Sequence, residues 1–292
     1  MQAQEQLAER FEENRAHLRA VAYRMLGSLN EADDAVQEAW LRLSRSGASG
    51  VKNLGGWLTT VVARVCLDML RSRKSRREEP LTGQISASIV GRRGGVDPEG
   101  EALLADSVGL ALLVVLDRLA PAERLAFVLH DMLDVPFDEI APIVGRSPAA
   151  ARQLASRARR RVKGAPPRDA DIGRQREVVD AFLAASRAGN LDGLLAVLDP
   201  NVVHRADRAT GAAGVRETRG ATVVAKQALA WSGRSRFAQA ALVNGAVGIL
   251  VAPHGRLLLV LSFAIRHGKI VEVDVISDPT RLGRVELAVL DP

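Results

Sequence analysis

The chain carries almost no sulfur chemistry and little aromatic surface. Of 292 residues one is cysteine, one is tyrosine, three are tryptophan and six are phenylalanine. A lone cysteine, Cys66, excludes a disulfide framework and a thiolate metal site, and its place on the apolar side of a predicted helix makes it a core residue. Long apolar runs are missing too. The longest, Leu257 to Ile265, falls well short of the ~20 residues that cross a bilayer and is broken by Ser262. The opening stretch, MQAQEQLAERFEENR, is polar and acidic, without the apolar core of a signal peptide. The first half also lacks a nucleophile with an adjacent base, a phosphate loop and a metal-ligand cluster. These absences point to a cytoplasmic protein in a reducing compartment, with no cofactor and no membrane partner.

What is present is ordinary in bulk and uneven in detail. Hydrophobic residues make up 47% and charged residues 25%, as in a globular protein, and the length suits two domains or three small ones. The formal net charge is only +6, but the cations are clustered. The densest cluster ends the stretch WLTTVVARVCLDMLRSRKSRR, Trp57 to Arg77. Trp57, Val61, Val65 and Met69 form one apolar stripe and Leu58, Val62, Cys66 and Leu70 the next, so the spacing predicts a helix with a wide buried face. Thr60, Arg64, Asp68 and Arg71 fall opposite. The end then turns basic: Arg71, Arg73, Lys74, Arg76 and Arg77, interrupted only by Ser72 and Ser75. Cations at a helix C-terminus complement the macrodipole, which accounts for one or two of them. A cluster this dense matches a polyanion, because Lys and Arg that neutralise phosphates release counterions.

Upstream, residues 5 to 26 read as an amphipathic helix with Leu7, Phe11, Leu18, Val21, Ala22 and Met25 inward. A second helix is expected from an Asn30 cap, with Glu31, Asp33 and Asp34 in its first turns. Val36, Trp40 and Leu43 face in, leaving Asp34 and Glu38 outward. From spacing alone those acids serve equally well as a solubilising face or as a partner site. Residues 44 to 56 form a Gly- and Ser-rich loop, and 78 to 96 read as a linker closed by Asp97 as cap and Pro98 at the first helical position. Helical pattern then runs to Lys163. Within it, a short helix after Pro136, a turn at Gly145, a Ser147 cap and a helix from Pro148 describe a helix-turn-helix. Pro142 costs the short helix one backbone bond, which a helix of that length tolerates. The second helix presents Arg146, Ala150, Gln153 and Arg157 where a recognition helix meets base edges and phosphates, and Arg159, Arg160, Arg161 and Lys163 extend its cationic end.

After a Pro-rich linker, 164 to 173, the pattern changes. Two helices, Arg174 to Gly189 and Leu191 to Leu198, end at Asp199-Pro200-Asn201. Strands follow, with hairpin signals at Asn244-Gly245 and His267-Gly268. Helices first and a curved antiparallel sheet afterwards predict an α+β domain.

Residues 5 to 163 resemble a bacterial alternative sigma factor of the extracytoplasmic-function type. EADDAVQEAWLRL resembles the region 2 segment that docks on the clamp helices of RNA polymerase, and WLTTVVARVCLDMLRSRKSRR resembles the promoter −10 segment. LAPAERLAFVLHDMLDVPFDEIAPIVGRSPAAARQLASRARRRV is similar to region 4 with its −35-reading helix-turn-helix. Residues 174 to 285 resemble SnoaL-like members of the nuclear-transport-factor-2-type fold. Such a fusion is similar to the ECF41-type subgroup, whose extension regulates in cis. The run Asp278, Pro279, Thr280, Arg281, Leu282 resembles the subgroup's NPDKL motif, with Asp for Asn at 278 and Thr for Asp at 280. Its glycine-rich DGGGK element survives only as DRATGAAGVR, and Arg64 stands where many relatives in the broader class carry Asn.

The resemblance implies a multidomain chain: an all-α region 2 domain (1–77), a linker (78–96), an all-α region 4 domain (97–163), a second linker (164–173) and an α+β regulatory domain (174–292). It implies core RNA polymerase, through the β′ clamp helices and β flap, and promoter DNA as partners. Asp33, Asp34 and Glu38 would meet polymerase with Trp40 packed behind them. Lys52, Asn53, Trp57 and Arg64 would lie at a flipped −10 base and its strand, and Arg71, Arg73, Lys74, Arg76 and Arg77 on the strand backbone. Arg146, Ser147, Arg152, Gln153, Arg157 and Arg160 would work at the −35 element, phosphate contacts setting register and base contacts specifying. Three other readings stay open. One is a helix-turn-helix regulator that never binds polymerase, which the acidic helix argues against. Another is a small-molecule sensor in the C-terminal domain. The last is a cyclase-type enzyme using His204, Asp207, His254, His267 or Asp274, which requires His204, Asp207 and Asp274 to converge in an enclosed pocket.

Overall fold

The computed structural model describes residues 2–46, 51, 53–77, 109–164, 171–207 and 216–290. They divide into two compact units, one of residues 1–108 with 116–159 and one of residues 109–115 with 160–292. The 78–96 linker, the Asp97–Pro98 helix start and most of the DRATGAAGVR run lie outside the described residues.

In the first unit α1 (Gln2–Leu26), α2 (Leu29–Ser46) and α3 (Leu54–Arg77) pack on one another. The expected stripes are the ones buried: Phe11, Leu18, Val21 and Met25 from α1, Val36 and Leu43 from α2, Leu58, Val62 and Cys66 from α3. Each such side chain contributes about 1.5–3 kcal/mol by leaving water. The α3 helix is buried more widely than two stripes, since Ala63 and Leu67 are also shielded. The reason is a second packing partner: α5 (Pro121–Asp131) and α6 (Phe137–Val144) lie against α3, and α5 against α1. Two helix starts differ from expectation. The α2 helix opens at Leu29, before Asn30, with Ala32 N–H donating to the Ser28 carbonyl at 2.9 Å. The α3 helix opens at Leu54, because the Asn53 side chain accepts from Gly56 N–H at 3.0 Å and caps it.

At the packed junction sits Arg124 of α5, 2% exposed. Its Nε and Nη2 donate to the Arg24 carbonyl at 3.3 and 3.2 Å, and Asp117 is 3.6 Å away. Arg73 donates to another carbonyl at that helix end, Leu26, at 3.2 Å. Two guanidinium groups thus satisfy carbonyls that α1 cannot satisfy itself, where the dipole favours cations. Burial pulls Arg124 down to about 10, against the opposing pull of Asp117, and pushes the neighbouring Cys66 thiol up to about 12.

The helix-turn-helix follows its sequence signals. The α6 helix ends at Gly145, left-handed at φ 70°, and the Ser147 hydroxyl accepts from Ala150 N–H at 3.3 Å to open α7 (Pro148–Lys163). Pro142 sits on the exposed side of α6. The preceding α4 spans Leu110–Asp117.

In the second unit α8 (Ile172–Ala188) and α9 (Leu191–Val197) precede a sheet of β1 (Leu198–Ala206), β2 (Arg216–Arg219), β3 (Ala238–Val243), β4 (Ala246–Val251), β5 (Leu259–Arg266), β6 (Lys269–Ile276) and β7 (Leu287–Ala288). The order is β2-β1-β6-β5-β4-β3-β7, with α10 (Ala221–Ala230) after β2 and the short α11 (Pro279–Leu282) after β6. Both hairpins form where expected, with Asn244 and Gly245 at φ 52° and 83° and His267 and Gly268 at 51° and 74°. The sheet differs from the wholly antiparallel one expected: β1 and β6 run parallel. Short connections make β3, β4, β5 and β6 successive antiparallel neighbours, whereas β1 and β6 are joined only through the intervening strands, which leaves either direction open. Asp199-Pro200-Asn201, expected to end a helix, lies inside β1, in the bulge between Leu198 and Val203. The core joins Val179, Phe182 and Leu183 of α8 to Val202, Ile249, Ile270 and Val273 of the sheet.

Candidate nucleic-acid and polymerase interface

The acidic face of α2 is real and partly occupied. Asp33 is held by Arg19 through two bonds of 2.7 and 3.0 Å, and Glu38 by Arg42 at 3.0 Å. These pairs are solvent-facing and worth well under ~1 kcal/mol each, so a basic partner exchanges for them readily. Asp34 is exposed. Trp40 packs behind them on Phe11, ring centroids 5.1 Å apart. Between α2 and α3 runs a cleft of about 320 Å³ with Val65 and Met69 on its apolar side and Glu31, Asp68, Arg42 and Arg73 on its charged rim.

The cations on α3 divide by role. Arg64 and Lys74 are exposed, and Arg71 is loosely paired with Asp68 at 3.9 Å. Arg73 is engaged inside the unit, with Glu31 as well as the Leu26 carbonyl. Asn53 is spent as the α3 cap, and a Cβ on Gly56 would meet its amide at 2.8 Å, so the cap also explains that glycine. Trp57 is half-buried. Lys52 and the side chains of Arg76 and Arg77 lie outside the described residues.

On the helix-turn-helix, Arg146, Arg152, Gln153, Arg157 and Arg160 are all exposed, while Ala151, Ala155 and Ala158 turn inward. Arg152 lies 5.3 Å from the Phe137 ring centroid, which aims its guanidinium. Arg159 pairs instead with Asp131. No Asp or Glu occurs between Glu139 and Asp169, so α7 carries no acid of its own and its exposed arginines keep that helix cationic. An exposed Gln among fixed cations on a capped helix can read base edges while its neighbours hold phosphates.

Sigma-70 region 2 matches residues 10–76 and sigma-70 region 4 matches residues 109–162. A probable ECF RNA polymerase sigma factor, SigI of Mycobacterium tuberculosis, is 36% identical over 92% of both chains. The ECF RNA polymerase sigma factor SigJ of the same organism is 41% identical over 83% of this chain and 80% of its own. This chain belongs to the extracytoplasmic-function sigma factors. The crystal structure of M. tuberculosis SigJ aligns at 34% identity over 94% of this sigma factor and 98% of that chain, with a TM-score of 0.46. Membership makes RNA polymerase and promoter DNA the partners of the sigma factor, and no described helix is long and apolar enough to cross a membrane.

Among the described residues, the second unit sets the predicted catalytic candidates apart. Asp207 is the hub of a turn: its carboxylate accepts from Ser277 N–H at 2.6 Å, Ser277 hydroxyl at 2.7 Å, Asp278 N–H at 3.3 Å and Arg281 Nη1 at 3.1 Å. Asp274 sits beside Arg205, 3.9 Å away. His204 instead pairs with Thr218, whose hydroxyl donates to Gln227 at 3.3 Å. Burial lowers the His204 pKa, Asp274 opposing and Arg216 assisting, which favours the neutral ring. His267 is an exposed turn residue, and the side chain of His254 lies outside the described residues. Within the Asp278–Leu282 motif, Asp278 caps α11 by accepting from Arg281 N–H at 2.9 Å, Leu282 is buried, and Pro279 and Thr280 are exposed.

Sequence reasoning missed Arg124, Glu31 as the partner of Arg73, and Asp207 as an organiser. For Arg124 a signal existed: it lies four residues before Val128, on the stripe that buries Leu125 and Val128.

Proposed function

We propose that this sigma factor seats core RNA polymerase through the α2 acids, Asp33, Asp34 and Glu38, against the β′ clamp helices, with region 4 on the β flap. The exposed cations of α3 hold the −10 strand, and α7 reads the −35 element with Gln153 at base edges and Arg146, Arg152, Arg157 and Arg160 on phosphates. The domain division 1–77, 97–163 and 174–292, with its two linkers, is part of this reading. So is the assignment of residues 174–292 as a regulator in cis, working without catalysis of its own. A small molecule acting on that regulator would find its polar contacts at His204, Thr218 and Gln227. The observation that carries the proposal is the pairing, in one chain, of an acidic helix beside one cationic helix end with a second, acid-free cationic helix on a capped helix-turn-helix.

The test is promoter-directed transcription with core polymerase, comparing the full chain with one ending at Lys163. Initiation by either supports the sigma reading, and a difference between them supports regulation in cis. Failure of both to bind polymerase removes the first claim, and equal activity of both removes the second.

A further inference from the structure

Four large apolar side chains stand exposed among the described residues, and three belong to the second unit: Val223 at 45%, Trp231 at 49% and Leu258 at 41%. The elements that carry them are neighbours in the fold. Trp231 ends α10 and opens a 3-10 turn, Ser232–Phe237, which packs on a second such turn, Pro253–Gly255, just before Leu258. The core does not use them: α10 turns Val224 and Ala225 inward and leaves Val223 out. A half-exposed tryptophan is the kind of side chain that anchors interfaces when it is not serving a core.

The surroundings select the partner. Arg234 lies 4.8 Å from the Trp231 ring centroid, and Arg236 4.6 Å from that of Phe237. Lys226, Arg234, Arg236 and Arg256 are all exposed, and from Thr218 to Val271 the sequence contains no Asp or Glu. An apolar centre with a cationic rim matches an anionic partner. Nucleic-acid bases stack on rings and gain little from aliphatic groups, so the exposed Val223 and Leu258 on the elements neighbouring Trp231 favour a protein segment over a single strand.

We propose that this face docks an acidic, amphipathic segment of a partner protein, with Trp231 as the buried anchor and Lys226, Arg234 and Arg236 as the charged rim. The inference is independent of the promoter-binding reading. The test labels the full chain with 5-fluorotryptophan and follows its three tryptophan resonances while adding a short synthetic helical peptide of Leu, Phe and Glu. A saturable shift of the Trp231 resonance alone, with Trp40 and Trp57 unmoved, is the expected result. Trp231→Ala then weakens labelled-peptide binding about 10-fold or more, Trp231→Phe retains most of it, and R234E combined with R236E weakens it several-fold. The exposed position lets each variant keep its fold, which circular dichroism checks. Three outcomes overturn the proposal: no shift at Trp231, an equal shift with polyglutamate, which reduces the site to charge, or tighter binding of a single-stranded oligonucleotide at Trp231, which makes it a base-stacking site.

Discussion

Replacing Arg124 by alanine and by methionine separates two opposed contributions of one buried cation. The guanidinium donates twice to the Arg24 carbonyl and is 2% exposed, while its counterion, Asp117, is 43% exposed. Arg124→Ala strips the carbonyl of its donors and leaves a void the length of the side chain. Alanine relieves the burial of the charge as methionine does, so the void alone separates the two variants, at about 2–5 kcal/mol for a large-to-small core truncation. Arg124→Met keeps most of the volume and also orphans the carbonyl, at about 1–3 kcal/mol. It abolishes the burial of the charge, however. With a pKa drawn from 12.5 to about 10, that burial costs about 3 kcal/mol at ~1.4 kcal/mol per unit. The methionine variant is therefore expected within about 1 kcal/mol of the parent. The gap between the variants is about 3 kcal/mol, or roughly 6–12 °C in the first unit's melting transition. Because the folded pKa is the lower one, the cation's penalty is fully present below pH 10 and is relieved only above it. The difference between parent and Met variant should then stay flat from pH 6 to 9. Scanning calorimetry of the full chain decides: a methionine variant less stable than the parent by about 3 kcal/mol or more, the loss expected from an orphaned carbonyl with no offset, refutes the dominance of desolvation.

Other expectations follow from single contacts. Cys66, pushed up to about 12 by burial, should resist alkylation in the native state, with no rate increase from pH 7 to 9 where an exposed thiol ionises; a free-thiol rise through that window contradicts its place in the core. Asp207→Ala should destabilise the second unit by about 2–4 kcal/mol, since four donors lose one buried acceptor. Arg281→Ala, at an exposed partner, should cost under ~1 kcal/mol, and amide exchange at 277–282 reports both. Gly248→Ala would place its Cβ 2.5 Å from the Leu261 carbonyl and 2.6 Å from a Val243 methyl, so urea unfolding should show a loss of about 2 kcal/mol or more. Ser147→Ala should cost about 1 kcal/mol through the lost cap while leaving the salt slope of promoter binding unchanged, whereas Arg157→Ala should reduce that slope by about one.

What the sequence made legible was local. Stripes on α1 and α3, the Ser147 cap with Gly145 before it, and the hairpins at Asn244 and His267 each depend on residues a few positions apart, and all form. What it hid was distant. Asn53 looked like a base contact because a polar residue before a helix suits a nucleic-acid loop and a cap equally well, and only the bond to Gly56 separates them. Arg73 reads as one cation in a basic run until Glu31 and the Leu26 carbonyl are brought to it. Asp207 reads as a catalytic candidate until Ser277 and Arg281 close around it. The parallel pairing of β1 with β6 has no local code at all, because no short turn connects them.

The end of α1 has a consequence for how the chain is made. Its Arg24 carbonyl waits for a donor 100 positions later in the sequence. At about 5–20 residues per second of synthesis, that donor leaves the ribosome about 5–20 seconds after its acceptor. During that interval the nascent first three helices must hold together with water at the terminus of α1, and the surface of α3 that α5 and α6 will cover stays open to chaperones. Assembly of the first unit is in this sense post-dated: the bond that closes α1 is written only when region 4 arrives.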